Sequence, residues 1–333
     1  MNKKINISLA VLFVLIAAYY MGPKPSVPVI VEDLPVVPKS PVELTNFVNS
    51  KELQHKIKPG NEAKIIWADS IPGKTKFTVL YLHGFGACSY EGQPINIDFA
   101  KKYHCNLVLS RLAFQGIDTS NAMYFLTAEN LWASALEAYA IAKETGDSVI
   151  IMGTSTGCTL GLMLAARYPE IKGLINMSPN IRLHDPLSFM LNNPWGIQIA
   201  KMVIGGDSFN YQSDAEFGKY WYLSYRLEPV VELENLLETQ MTEETFSKID
   251  KPCINLYYYK DEEHQDQMVD ANKTQWMHEK LATKSELKRI VNVDDAGDHI
   301  IGNPIRSKNV AKVYSEICNF SEQVMGLQPY TLQ

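Results

Sequence analysis

Gly153, Thr154, Ser155, Thr156 and Gly157 set one hydroxyl between two glycines, behind the apolar run Val149 to Met152 and ahead of the helix pattern CTLGLMLAARY. A strand that enters a helix through Gly-x-Ser-x-Gly must hold its serine in a strained conformation that lifts the hydroxyl above the sheet. The neighbours two positions away must then be tiny, and Gly153 and Gly157 are. Alone, the pattern also fits an ordinary turn; the strand before it and the helix after it favour a nucleophile elbow. A serine hydroxyl is a poor nucleophile near neutral pH, so it needs a base and a third group that orients the base.

On a strand–helix scaffold of this kind the partners follow in the order Ser, Asp or Glu, His. Among the seven histidines, His299 stands after the last strand-like run, in the polar turn VNVDDAGDHIIGNP just before the final helix. His55, His104, His184 and His278 fall in helix-like stretches or at the start of an insertion, where no strand end presents them. The acid belongs at the end of the preceding strand, where CINLYYYKDEEHQDQMVD offers Asp261, Glu262, Glu263 and Asp266. Asp261 is nearest the strand end, whereas Asp266 precedes the apolar pair Met268–Val269 and a helix; Asp266 is favoured and Asp261 is the alternative. These carboxylates beside His264 lack H-E-x-x-H and EF-hand spacing, so no metal is expected.

Acyl transfer builds negative charge on a carbonyl oxygen, which calls for preset N–H donors. The HGFG segment from His83 to Gly86 follows the strand Val79 to Leu82, and its glycines allow close backbone approach. The backbone N–H groups of Phe85 and Thr156 are the candidate donors.

These residues need elements to carry them. Apolar runs at 63–68, 77–82, 106–112, 148–153, 173–178, 253–259 and 287–293 alternate with helix-like segments at 127–145, 156–168, 267–281 and 307–325. Such alternation predicts a mostly parallel sheet covered on both faces. From Arg182 to Lys251 aromatic and acidic residues mix with helical spacing, which predicts a helical insertion between two strands. Its Trp195, Phe209, Tyr211, Phe217, Tyr220, Trp221 and Tyr222 fit either an apolar acyl pocket or the insertion's own core.

Ahead of this body, Lys3 and Lys4 precede an uncharged stretch from Ile5 to Gly22, read as a signal anchor (1–22) with a cleaved signal peptide as the alternative. The positive N-terminal charge would leave the remainder outside the cytoplasm. A proline-rich linker (23–47) and the main domain (48–325, with the insertion at about 182–251) complete the expected organisation. The chain has 333 residues, 46% of them hydrophobic, enough for a sizeable core, and its net charge of -6 argues against a nucleic-acid partner. Five scattered cysteines signal neither a zinc site nor a disulfide framework.

Through "LYLHGFG", "LSRLAFQG", "MGTSTG", the acidic turn and "AGDHII", the chain from Phe77 onward resembles the α/β-hydrolase family, particularly its carboxylesterase and monoacylglycerol-lipase-like members. The resemblance implies an eight-stranded, mostly parallel sheet with helices on both faces, a lid inserted after the sixth strand, and no cofactor. Where many relatives carry Pro-Gly-His-Gly, this chain has Ala113, Phe114, Gln115 and Gly116, and its turn after Tyr259 is longer than usual. The expected function is a membrane-anchored serine hydrolase acting on a small-molecule or lipid-like ester through Ser155, His299 and Asp266. An amidase or peptidase on the same triad and a non-catalytic binding protein of the same fold are the alternatives.

Overall fold

The computed structural model describes residues 2–331, and all seven apolar runs become strands of one sheet. In chain order the strands are β1 (Lys64–Ile66), β2 (Thr75–Leu82), β3 (Asn106–Leu109), β4 (Gly146–Thr154), β5 (Gly173–Met177), β6 (Ser208–Asn210), β7 (Ser224–Arg226), β8 (Cys253–Tyr257) and β9 (Lys288–Asn292). The sheet order is β1-β3-β2-β4-β5-β8-β9, parallel throughout except for β1, which runs antiparallel to β3. Strand side chains alternate between faces, and a strand covered on both must be apolar at every position. Leu80, Leu82, Ile151 and Leu174 therefore join one core, while Val79, Tyr81, Ile150 and Met152 join the other.

The helices are α1 (Asn2–Tyr20), α2 (Pro41–Glu52), α3 (Ile95–Lys102), α4 (Ala128–Thr145), α5 (Thr156–Ala165), α6 (Gly196–Ile204), α7 (Ala215–Tyr220), α8 (Glu228–Gln240), α9 (Glu243–Phe246), α10 (Ala271–Lys280) and α11 (Val310–Gln323). Helices α2, α4, α5, α8 and α10 cover the first face with Leu44, Trp132, Leu160, Leu236 and Met277; α3 and α11 cover the second with Phe99 and Phe320. Helix α4 starts at a reciprocal cap, in which Thr127 Oγ1 accepts the Asn130 N–H and Asn130 Oδ1 accepts the Thr127 N–H.

Four expectations are corrected. Among the described residues no helix is long and apolar enough to cross a membrane, which overturns the N-terminal anchor. Asn2, Lys3, Lys4, Asn6 and Ser8 take up the first two turns of α1 and leave about 18 Å of unbroken apolar helix against a hydrocarbon core of about 30 Å. The membrane contact and the location outside the cytoplasm that rested on that anchor fall with it. The sheet has seven strands rather than eight, so the insertion follows the fifth strand. The proline-rich segment 23–40 forms no strand, and its prolines 25, 28, 35 and 38 have no N–H to donate to a ladder. Instead it runs along the body, with Val31 O accepting from Trp132 Nε1 at 2.6 Å and Ser26 O from Asn235 Nδ2 at 2.7 Å. The packed body also begins ahead of residue 48, because Leu44 of α2 is already fully buried. Finally, the insertion is not purely helical: β6 and β7 pair antiparallel around α7, in strands of three residues, too short for alternation to register in sequence.

Between β2 and β4 the order of connection reverses, since the chain leaves β2 for β3 on one side and returns to β4 on the other. Crevices beyond the carboxyl ends of strands at such a point are where open α/β sheets bind ligands. Leu82, the last residue of β2, pairs with Gly153 of β4. A Cβ at Gly157 would stand 1.9 Å from the Leu82 carbonyl oxygen, so β2 and the first turn of α5 touch backbone to backbone. Gly157→Ala is expected to lower stability by roughly 3 kcal/mol or to prevent folding. Gly161→Ala, whose Cβ meets a single side-chain methyl, Ile151 Cγ2, at 3.0 Å rather than backbone, is expected to melt well above Gly157→Ala. Equal thermal melts for the two variants would contradict the close approach.

Candidate active site

Ser155 joins β4 to α5 with no intervening loop and stands at φ +53° and ψ −119°, a sparsely populated conformation that costs about 1–3 kcal/mol. Its N–H donates to Met177 O of β5 at 3.0 Å, which holds the turn in place. Thr156 is the first residue of α5, so its N–H is one of those that no earlier turn accepts, at the helix end that favours negative charge.

His299 and Asp266 come from the loops after β9 and β8. Asp266 is 1% exposed, and its Oδ2 lies 2.6 Å from His299 Nδ1. The other carboxylate oxygen, Oδ1, accepts the N–H groups of Met268 at 2.8 Å and Val269 at 3.0 Å, which locks the acid's orientation. Because Nδ1–H is donated to Asp266, Nε2 remains for the cavity that His299 and Ser155 both line. Burial of the imidazole works to lower its pKa, but the Asp266 charge and hydrogen bond, with Glu91 and Asp298, carry it above the ordinary histidine value. Asp261, the alternative acid, is exposed and bonded to His264 Nδ1 at 2.7 Å and to the N–H groups of Glu263 and His264. Its partner is its own turn rather than His299. Among the described residues no group of three or more His, Cys, Asp or Glu side chains is placed to share a metal ion.

The HGFG loop is fixed from several sides. His83 is fully buried; its Nε2 accepts the Leu112 N–H at 3.0 Å, so the proton sits on Nδ1 and is donated to Gly84 O at 2.9 Å. Burial drives the His83 pKa down to about 4, keeping the ring neutral as that acceptor role demands. Two further side chains, which the sequence did not single out as site residues, hold the loop. Glu91 Oε2 accepts the Gly84 N–H at 2.6 Å, and Gln115 Oε1 accepts the Gly86 N–H at 2.6 Å. Phe85 lies between them.

The cavity above Ser155 measures about 390 Å³. Of the seven insertion aromatics singled out in the sequence, Phe209, Tyr211, Phe217, Trp221 and Tyr222 line it; Trp195 instead donates from Nε1 to Ala18 O, and Tyr220 stacks on Tyr90 at 3.7 Å. Phe85 completes the wall edge-on to Tyr225, their ring centroids 5.5 Å apart.

No family model matches the chain. It is 27% identical over 191 residues, 56% of this chain and 70% of the relative, to a thermostable monoacylglycerol lipase of Bacillus sp. (strain H-257). In fold it is similar to a metagenome-derived lipolytic enzyme, at a TM-score of 0.62 and 17% identity over 79% of this chain and 98% of the other. It is similar also to a soluble variant of monoglyceride lipase from Saccharomyces cerevisiae bound to a substrate analogue, at a TM-score of 0.56 and 14% identity over 81% and 92% of the two chains.

The two histidines carry opposite pH signatures. For His83, pH falling from 6.5 through about 4 protonates the unfolded chain first, which withdraws about 3 kcal/mol of stability by pH 4. For His299, raised above 6.5, the contribution is complete below 6.5 and fades as pH rises through the folded-state value. NMR titration of the ring protons should place His299 above the ordinary value and His83 near 4. A His83 that titrates at 6.5 would mean its ring is not sealed between Leu112 and Gly84.

Proposed function

From the premise that this chain is an α/β-hydrolase of the carboxylesterase and lipase kind, we propose that it cleaves carboxylic esters through Ser155, His299 and Asp266, with the N–H groups of Phe85 and Thr156 as the oxyanion hole. The observation that carries this reading is the 2.6 Å contact of His299 Nδ1 with buried Asp266, in a cavity that His299 shares with a serine at positive φ.

Ser155 Oγ attacks the acyl carbon as its proton passes to His299 Nε2. Asp266 keeps the imidazole in the tautomer that can accept that proton and stabilises the imidazolium that forms. The carbonyl oxygen, now an anion, takes the Phe85 and Thr156 N–H groups. Collapse of the tetrahedral intermediate breaks the ester C–O bond, and His299 returns the proton to the leaving alcohol. Water, deprotonated by His299, then attacks the acyl-enzyme and releases the acid and free Ser155. The aromatic wall of Phe209, Phe217 and Tyr225 favours an apolar acyl group, and the proposed substrate is accordingly a lipid-like ester. The insertion at about 182–251 supplies that wall and is proposed as the lid.

With a p-nitrophenyl ester, Ser155→Ala is expected to lower kcat by about 10⁴-fold or more, and to lose the single fluorophosphonate adduct that intact-mass measurement finds on wild type. Asp266→Asn should lose about 10³–10⁴-fold, and Asp261→Asn should stay within about twofold. Full activity in Ser155→Ala, or a greater loss at Asp261 than at Asp266, would overturn the assignment.

A further inference from the structure

We infer that Glu91 and Gln115 are positioning residues that preset the oxyanion hole, by holding the backbone N–H groups on either side of Phe85 so that the Phe85 N–H alone remains for the substrate oxygen. This rests on the reading of Ser155, His299 and Phe85 given above. Glu91 sits on the single 3-10 turn Ser89–Gly92 that follows the HGFG loop, and it is 2% exposed. A Cβ on Gly84 would stand 2.8 Å from Glu91 Oε1 and 3.2 Å from Ser155 Cβ. Gly84 is thus a glycine because the carboxylate and the nucleophile close on it from two sides. On the far side, Gln115 Oε1 takes the Gly86 N–H, while Gly86 O accepts the Tyr222 N–H of the insertion at 2.8 Å. The Phe85 N–H has no internal acceptor among the described residues.

The burial of the Glu91 carboxyl asks for an explanation of its own. Among the described residues no Lys or Arg pairs with it, and a buried carboxylate without a cation is expensive. Glu91 lines the same cavity as His299, the one group there that becomes cationic during the reaction. Burial pushes the Glu91 carboxyl up to about 7, against the pull of the Gly84 N–H, His299, Trp221 and Tyr81. The titratable groups that face it are His299 from the loop after β9, Tyr81 of β2, Cys88 beside its own turn and Cys158 of α5. Those facing His299 are Asp266, Glu91 and Asp298. Because Glu91 helps to raise the His299 pKa, loss of its charge moves the acid limb of the kcat/KM profile to lower pH.

Three variants in the full chain test this with p-nitrophenyl butyrate. Glu91→Leu and Gln115→Met each remove an acceptor and are expected to lower kcat by about 10- to 100-fold with KM within about twofold. Glu91→Gln keeps an acceptor and loses the charge, so it should recover most of kcat while its acid limb moves to lower pH. Should Glu91→Leu fail to fold, the other two decide: wild-type kcat in Gln115→Met together with a wild-type pH profile in Glu91→Gln would overturn the inference. Ser155→Ala, assayed alongside, separates the two failures. Activity there sinks the triad, whereas an inactive Ser155→Ala beside unaffected Glu91 and Gln115 variants sinks only the positioning role.

Discussion

The approach of Gly157 to the Leu82 carbonyl, so tight that a Cβ would stand 1.9 Å from the oxygen, sets the geometry of everything above the sheet. Leu82 is the last residue of β2, and the HGFG loop begins at the next position. Gly157 lies two residues after Ser155. One backbone contact therefore fixes the loop that carries Phe85 against the turn that carries Ser155. The strained φ at Ser155 has the same origin, since α5 must start at once after β4 for its first turn to reach β2. The parallel register Leu82–Gly153 and Thr154–Met177 then brings the ends of three neighbouring strands to one level.

On that frame the buried polar groups divide their work by atom. Asp266 gives one oxygen to the backbone of its own turn and the other to His299, so the carboxylate that holds the imidazole is itself held. His83 spends both ring nitrogens on backbone partners, which binds the loop after β3 to the loop after β2. Glu91 and Gln115 each present an oxygen to one N–H of HGFG. Buried side chains with paired polar atoms lose rotamer freedom, and the loop they surround loses its own.

Much of this was legible in the sequence because strands buried on both faces must be apolar at every position, as 79–82 and 149–152 are. The elbow was legible because steric need dictates its glycines. Chain order could place the acid in the loop after β8, and the apolar pair and helix that follow Asp266 favoured it over Asp261; that the turn folds Asp266 inward and leaves Asp261 exposed is a tertiary outcome. Glu91 and Gln115 left no signal. A lone glutamate on a short turn reads as solvated, and Gln115 was visible only as a departure from Pro-Gly-His-Gly. The apolar N-terminal run was misread because hydropathy over 5–22 hides how much of α1 its polar first turns consume.

The insertion does more than roof the cavity. Tyr222 donates its N–H to Gly86 O, and its hydroxyl both accepts the Ile117 N–H at 2.7 Å and donates to Ile117 O at 2.6 Å. Trp221, its neighbour, stacks on Phe217 at 4.3 Å and faces Glu91. Two consecutive residues thus tie the aromatic wall to the loop that carries Phe85, and through Ile117 to the segment that carries Gln115. The residues that line the cavity from the insertion thus include the one whose backbone N–H holds the HGFG loop. A rearrangement of that wall would therefore also move the HGFG loop, to which Tyr222 is bonded at Gly86 O.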